Sequence, residues 1–97
     1  MNYSTDSIAQ ILDAPAPSVN RTVSILLTDS RSLTFAGQTL FFALRTSTGN
    51  GHKYIPGLYA KGVRAFVVDE LPADDADMSD ASWIVVPDVL RALQTLA

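Results

Sequence analysis

Two apolar blocks, Leu40-Phe41-Phe42-Ala43-Leu44 and Ala65-Phe66-Val67-Val68, stand on either side of a run whose apolar residues recur at helical spacing. No other feature constrains the fold of this chain as strongly. Continuous apolar runs of this length, bounded by turn-forming residues, suit strands covered on both faces. Between them Tyr54, Ile55, Leu58 and Tyr59 make the stripe of a helix expected from about Lys53 to Lys61. Pro56 falls in its first turn, where the missing N–H costs little, and Gly62 stands where a left-handed C-terminal cap is wanted. Strand, helix and strand in one sheet imply a parallel, right-handed crossover.

The flanking segments extend this pattern. Ser4 and Thr5 are capping residue types, and Ile8, Ile11 and Leu12 follow at helical spacing, so a helix is expected from about Thr5 to Leu12. The prolines of Ala14-Pro15-Ala16-Pro17 are expected to end it. Val19, Arg21, Val23 and Ile25 alternate with Asn20, Thr22 and Ser24, and the pattern turns apolar at Ile25-Leu26-Leu27. That is a strand entering a covered sheet, stopped by the turn cluster Thr28-Asp29-Ser30-Arg31-Ser32. Further strands are expected at Thr39–Leu44, Ala65–Val68 and Trp83–Val86. Pro87 or Asp88 opens a last helix with Val89, Leu90, Leu93 and Leu96 on one face, and no Gly or Pro stops it before the C-terminus. The fold class is therefore α/β, a small mixed or mostly parallel sheet of about four strands flanked by helices.

Ninety-seven residues make a single domain, 1–97. The net charge of −3 argues against nucleic acid and against a polybasic membrane role. There is no cysteine, which excludes disulfides, thiolate metal sites and a cysteine nucleophile. No apolar run approaches the ~20 residues of a membrane span, and Met1-Asn2-Tyr3-Ser4-Thr5-Asp6 lacks the charge pattern of a signal peptide.

Catalytic signals are sparse. No phosphate-binding P-loop and no Gly-x-Gly-x-x-Gly occurs. A serine triad would need His52, the one histidine, which reads as capping a helix start or facing solvent. The acidic stretch with Asp74, Asp75, Asp77 and Asp80 lacks the glycine and the terminal glutamate of a calcium loop and reads as a solvated, mobile turn. No catalytic residue and no metal ligand is expected.

Binding signals are stronger. Asp29-Ser30-Arg31 offers an acceptor, a hydroxyl and a guanidinium, the side chain suited to bidentate phosphate contact. Ser47, Thr48, Gly49, Asn50 and Gly51 offer hydroxyls, an amide and backbone N–H groups that glycine leaves open to close approach. Each cluster follows a strand, and open α/β sheets bind ligands at strand ends. The alternative for the triplet is that Asp29 and Ser30 only form a turn with their own backbone.

Leu27-Thr28-Asp29-Ser30-Arg31, Thr39-Leu40-Phe41-Phe42-Ala43-Leu44, Asn50-Gly51-His52, Tyr54-Ile55, Ala60-x-Gly62-Val63-x-Ala65 and Val67-Val68, in this order, resemble the N-terminal domain of Mur ligases. The resemblance is strongest to the type that joins D-alanyl-D-alanine to UDP-N-acetylmuramoyl-tripeptide (MurF), or to its near relative that adds the third amino acid. The apolar block at Leu40, together with Gly62-Val63-Arg64-x-Phe66-Val67-Val68, looks most like a subgroup fused to alanine racemase. This resemblance implies a domain that holds the UDP end of UDP-N-acetylmuramoyl-peptide. Thr28, Ser30, Arg31, Ser47, Thr48, Gly49 and Asn50 would bind it, with Arg31 near the diphosphate. Residues 86–97 would begin the connecting helix to an ATP-binding domain. The resemblance further implies that ATP and Mg2+ act in the parent enzyme, with no cofactor in this chain, and that pyridoxal phosphate enters only if a racemase follows. The partners would be the central and C-terminal domains of the same protein, with no nucleic acid and no membrane, in the bacterial cytoplasm. Two other readings stay open: a non-catalytic α/β regulatory or interaction module of similar topology, and a small hydrolase using Ser30 or His52.

Overall fold

The computed structural model describes residues 3–17, 19–28, 33–46, 49–71, 78 and 80–96, and only the backbone at 46 and 50. The chain forms β1 (Tyr3–Ser4), α1 (Thr5–Ile11), β2 (Thr22–Val23), β3 (Ile25–Leu27), a 3-10 turn (Ala36–Gln38) and β4 (Thr39–Phe42). It continues with β5 (Arg45–Thr46), β6 (Gly49–Asn50), a 3-10 turn (Gly51–Tyr54), α2 (Ile55–Ala60), β7 (Ala65–Val68), β8 (Ser82–Val85) and α3 (Val89–Leu96). The main sheet has four strands in the order β3-β4-β7-β8, every neighbouring pair parallel. β1 with β2 and β5 with β6 form separate two-stranded antiparallel ladders.

The strand period of two sorts the apolar residues onto two faces. Leu40, Phe42, Ala65, Val67 and Ile84 pack with Ile8 and Ala9 of α1 and Val89 and Ala92 of α3. Phe41, Ala43, Phe66 and Val68 pack with Ile55 and Leu58 of α2. The continuous apolar blocks therefore serve a three-layer arrangement in which both faces of the two central strands are covered. Phe66 centres the α2 face, edge-on to Phe41 (centroids 6.4 Å apart) and stacked on Trp83 (4.8 Å).

Both ends of α1 and the C-terminal end of α2 carry recognisable caps. Ser4 Oγ accepts from Ser7 N–H at 3.1 Å. At the end of α2, Gly62 has φ +110, its N–H donates to Tyr59 O (3.0 Å), and Val63 N–H donates to Leu58 O (3.1 Å). This is the glycine cap expected from the sequence, a Schellman motif. α1 ends in the same motif without glycine. Asp13 takes φ 56, with Asp13 N–H on Gln10 O (3.2 Å) and Ala14 N–H on Ala9 O (2.8 Å). The stop thus comes at Asp13, before the prolines expected to cause it.

Further expectations need refining. The alternating segment before Leu27 is two strands in two ladders, parted at Ser24, whose N–H is taken by Gln38 O at 2.9 Å. The Thr46–Gly51 loop contains a short hairpin, Arg45↔Asn50 and Thr46↔Gly49. The helix expected from Lys53 begins as a 3-10 turn and becomes α-helical only at Ile55. Of the acidic stretch, residues 72–77 and 79 lie outside the described residues, and Asp80 is solvent-exposed as expected but not free. It is bound by Tyr59 Oη and by Arg64 Nε (3.2 Å).

Candidate functional site

Because β3, β4, β7 and β8 run parallel, their C-terminal ends share one rim. Thr28 leaves it after β3, the β5–β6 hairpin after β4, Asp69 and Glu70 after β7, and Pro87 and Asp88 after β8. Of the residues expected to bind ligand, Thr28 and Gly49 are exposed, and Gly49 and Asn50 form β6. Ser30, Arg31, Ser47 and Thr48 lie outside the described residues, as does the Asn50 side chain.

Arg45, His52, Asp69 and Glu70 form a connected cluster on this rim, and none belonged to the expected binding set. Arg45 presents its fork to Asp69, Nε to Oδ2 at 2.5 Å and Nη2 to Oδ1 at 2.9 Å, and Nη2 also reaches Glu70 Oε1 at 2.8 Å. His52 Nε2 lies 3.1 Å from Asp69 Oδ1, and the Asp69 backbone N–H points at the same nitrogen from 3.4 Å. One ring nitrogen cannot donate to the carboxylate and accept from the amide at once. The shorter contact, to an ionised oxygen, is the stronger of the two. His52 is thus not a solvent-facing residue, its side chain being only 11% exposed.

The electrostatics follow from these contacts. The Arg45 hydrogen bond holds the Asp69 carboxyl below its ordinary range, and the paired carboxylates hold the Arg45 guanidinium firmly charged. Burial pushes His52 down, against the pull of Asp69. The cluster therefore favours a neutral imidazole beside a charged fork paired with the Asp69 carboxylate.

Backbone geometry fixes the hairpin base. Gly51 N–H donates to Leu44 O at 2.6 Å, and a Cβ at Gly51 would lie 2.8 Å from Leu44 N. Only glycine allows that approach. Beside the cluster a recess of about 220 Å3 is lined by Arg45, Asp69, Pro87, Asp88, Val89 and Leu90. Among the described residues no group of three or more His, Cys, Asp or Glu could hold a metal, and no helix is long and apolar enough to cross a membrane. One sequence signal could have found Arg45 and Asp69: each is the first charged residue after an apolar strand.

Comparison with known proteins places this geometry. The family profile described as "Mur ligase family, catalytic domain" matches residues 22–97. The UDP-N-acetylmuramoyl-L-alanyl-D-glutamate–2,6-diaminopimelate ligase of Chlorobaculum tepidum is 38% identical over 69 residues, which is 71% of this chain and 13% of that protein. A crystal structure of MurF from Acinetobacter baumannii superposes with a TM-score of 0.78 at 21% identity, covering 99% of this chain and 20% of that one. The UDP-N-acetylmuramoylalanyl-D-glutamyl-2,6-diaminopimelate–D-alanyl-D-alanyl ligase of the same organism gives 0.79 at 20% identity, with 99% and 21% covered. The chain spans only about an eighth to a fifth of the length of these relatives. The part of the two Acinetobacter baumannii structures on which the chain superposes shares the four-stranded parallel sheet flanked by helices described above. With most of its length matched by the family profile, the chain belongs to the Mur ligase family.

Proposed function

We propose that this chain is the N-terminal domain of a peptidoglycan-precursor ligase and holds the UDP end of a UDP-N-acetylmuramoyl-peptide. The supporting observation is the common rim: Thr28 and the β5–β6 hairpin leave adjacent parallel strands at the end where open α/β sheets take ligands. Thr28, Ser30, Arg31, Ser47, Thr48, Gly49 and Asn50 would form the cradle. The chemistry, ATP-dependent amide formation with Mg2+, would belong to further domains reached through residues 86–97, so the 97 residues alone would catalyse nothing. Binding a remote, unreactive nucleotide still serves the reaction, because it positions the reacting carboxylate elsewhere. The work would be done in the bacterial cytoplasm. Pyridoxal phosphate would enter only with a fused racemase.

The resemblance in residues favours the D-alanyl-D-alanine-adding type. The 38% identity to a diaminopimelate ligase favours a second type, which adds the third amino acid. Assaying the complete enzyme with both acceptors separates the two. Calorimetric titration of the chain with UDP tests the shared premise. Weak, saturable binding is expected, and no heat at millimolar UDP would overturn it. In the complete enzyme, Ser30→Ala is expected to raise KM for the UDP substrate far more than it lowers kcat, whereas a loss in kcat alone would indicate a transition-state role.

A further inference from the structure

We infer that Asp69 is the positioning residue of the β5–β6 hairpin, one carboxylate fastening both legs of the loop that, on the function proposed above, meets the nucleotide. Arg45 is the first residue of β5, and His52 follows directly after Gly51 at the end of β6. Their side chains converge on Asp69 from the two legs, at 2.5 and 2.9 Å from Arg45 and 3.1 Å from His52. Glu70 adds a contact to Arg45 from outside, at 2.8 Å.

The hairpin needs such a fastening. Its strands are two residues each and belong to a ladder of their own, apart from the main sheet. Isolated two-stranded hairpins are marginal in water. Asp69, by contrast, follows a central strand whose Val67 and Val68 are fully buried, so the core fixes its place. The carboxylate thereby transfers the rigidity of the sheet to the hairpin. Exposed ion pairs add little to global stability, and Arg45 is 45% exposed. The consequence of this one is local: a loop already ordered loses less entropy when ligand binds. The planar fork matters as well as the charge, since it fixes direction where a lysine ammonium would not.

Asp69→Asn keeps the shape and removes the charge. Amide hydrogen exchange by NMR, with UDP titrated into the same samples, tests the inference. In the variant, exchange at Gly51 is expected to rise about tenfold while Phe41 and Phe66 are unchanged, and the Kd for UDP to rise by about the same factor. Arg45→Lys, which keeps the charge and loses the fork, is expected to fall between wild type and Asp69→Asn. Unchanged exchange at Gly51, acceleration throughout the sheet, or raised exchange with unchanged UDP affinity would each overturn the inference. If wild type binds no UDP but Gly51 still exchanges faster in the variant, the fastening stands and the proposed function falls. Should Asp69→Asn not fold, Arg45→Gln reports on the same contact, and its failure to fold too would count against a local role.

Discussion

The molecule ties down an aspartate at each end of its sheet, and the two differ in position far more than in chemistry. At the rim where the parallel strands begin, Asp80 is bound by Arg64 Nε (3.2 Å) and by Tyr59, while Arg21 donates to its carbonyl at 2.6 and 3.1 Å. Arg64 also stacks on the Tyr59 ring, 3.7 Å from its centroid. Behind this clamp lies an uncharged network: buried Thr5 and Ser82 share the Val19 and Asn20 segment through their hydroxyls. At the opposite rim Asp69 takes Arg45 and His52. The first clamp is backed by buried hydroxyls that seal the sheet. The second is backed by a recess and a short hairpin, at the end where strand termini leave room for ligand. The same carboxylate–arginine pair closes one end of the fold and equips the other.

The strongest way to break this contrast acts on both rims at once. Phe66→Ala, between Phe41 and Trp83, is expected to cost about 3–5 kcal/mol in urea unfolding and to loosen both clamps together. A loss well below that would mean that the layer does not hold the rims in common. Gly51→Ala should strike the hairpin rim alone. Its Cβ would meet Leu44 backbone at 2.8 Å, and overpacking of this kind costs about 1–3 kcal/mol. Gly37→Ala meets nothing within 4 Å and should be neutral or slightly stabilising. Equal thermal shifts in the two variants would remove the distinction.

Asp80→Asn sharpens the comparison further. It removes a clamp as Asp69→Asn does, but UDP affinity should stay within about twofold of wild type because its contacts lie at the far rim. An equal loss from both variants would make the effect one of stability. The smallest effect is in pH. His52 is pushed below its ordinary 6.5, so its contribution is fully present above that value and lost as pH falls below it. Asp69 and Asp80 are both held below 3.8, and their contributions disappear only in stronger acid. Tyr59 is raised above 10.0 by its bond to Asp80, so that contribution is present below pH 10 and lost as pH climbs through the raised value. The hairpin rim should therefore soften first in mild acid and the opposite rim in alkali. Urea midpoints at pH 7 and 5.5 are expected to differ less in His52→Gln than in wild type.

The sequence made the covered sheet legible because burial on both faces leaves a direct mark. Leu40–Leu44 and Ala65–Val68 have few alternatives, and Gly62 marks the end of α2 by the conformation it adopts. The charged cluster on the rim left no such mark. Arg45 and Asp69 are 24 residues apart and meet solely because β4 and β7 are neighbours in register, which no local pattern records. His52 looked like a helix-start residue because its partner comes from another strand. The stop at Asp13 was missed for a different reason: an aspartate with positive φ leaves no compositional signal when prolines follow.

Central to the account is that ligand meets the rim where the strands end and not the rim where they begin. Mapping amide shifts while UDP is added to the chain tests this most directly. The account predicts saturable shifts at Thr28, Gly49, Gly51 and Asp69, with Arg64, Asp80 and Ser82 unmoved. Shifts gathered around Arg64 and Asp80, or none anywhere at millimolar UDP, would contradict it.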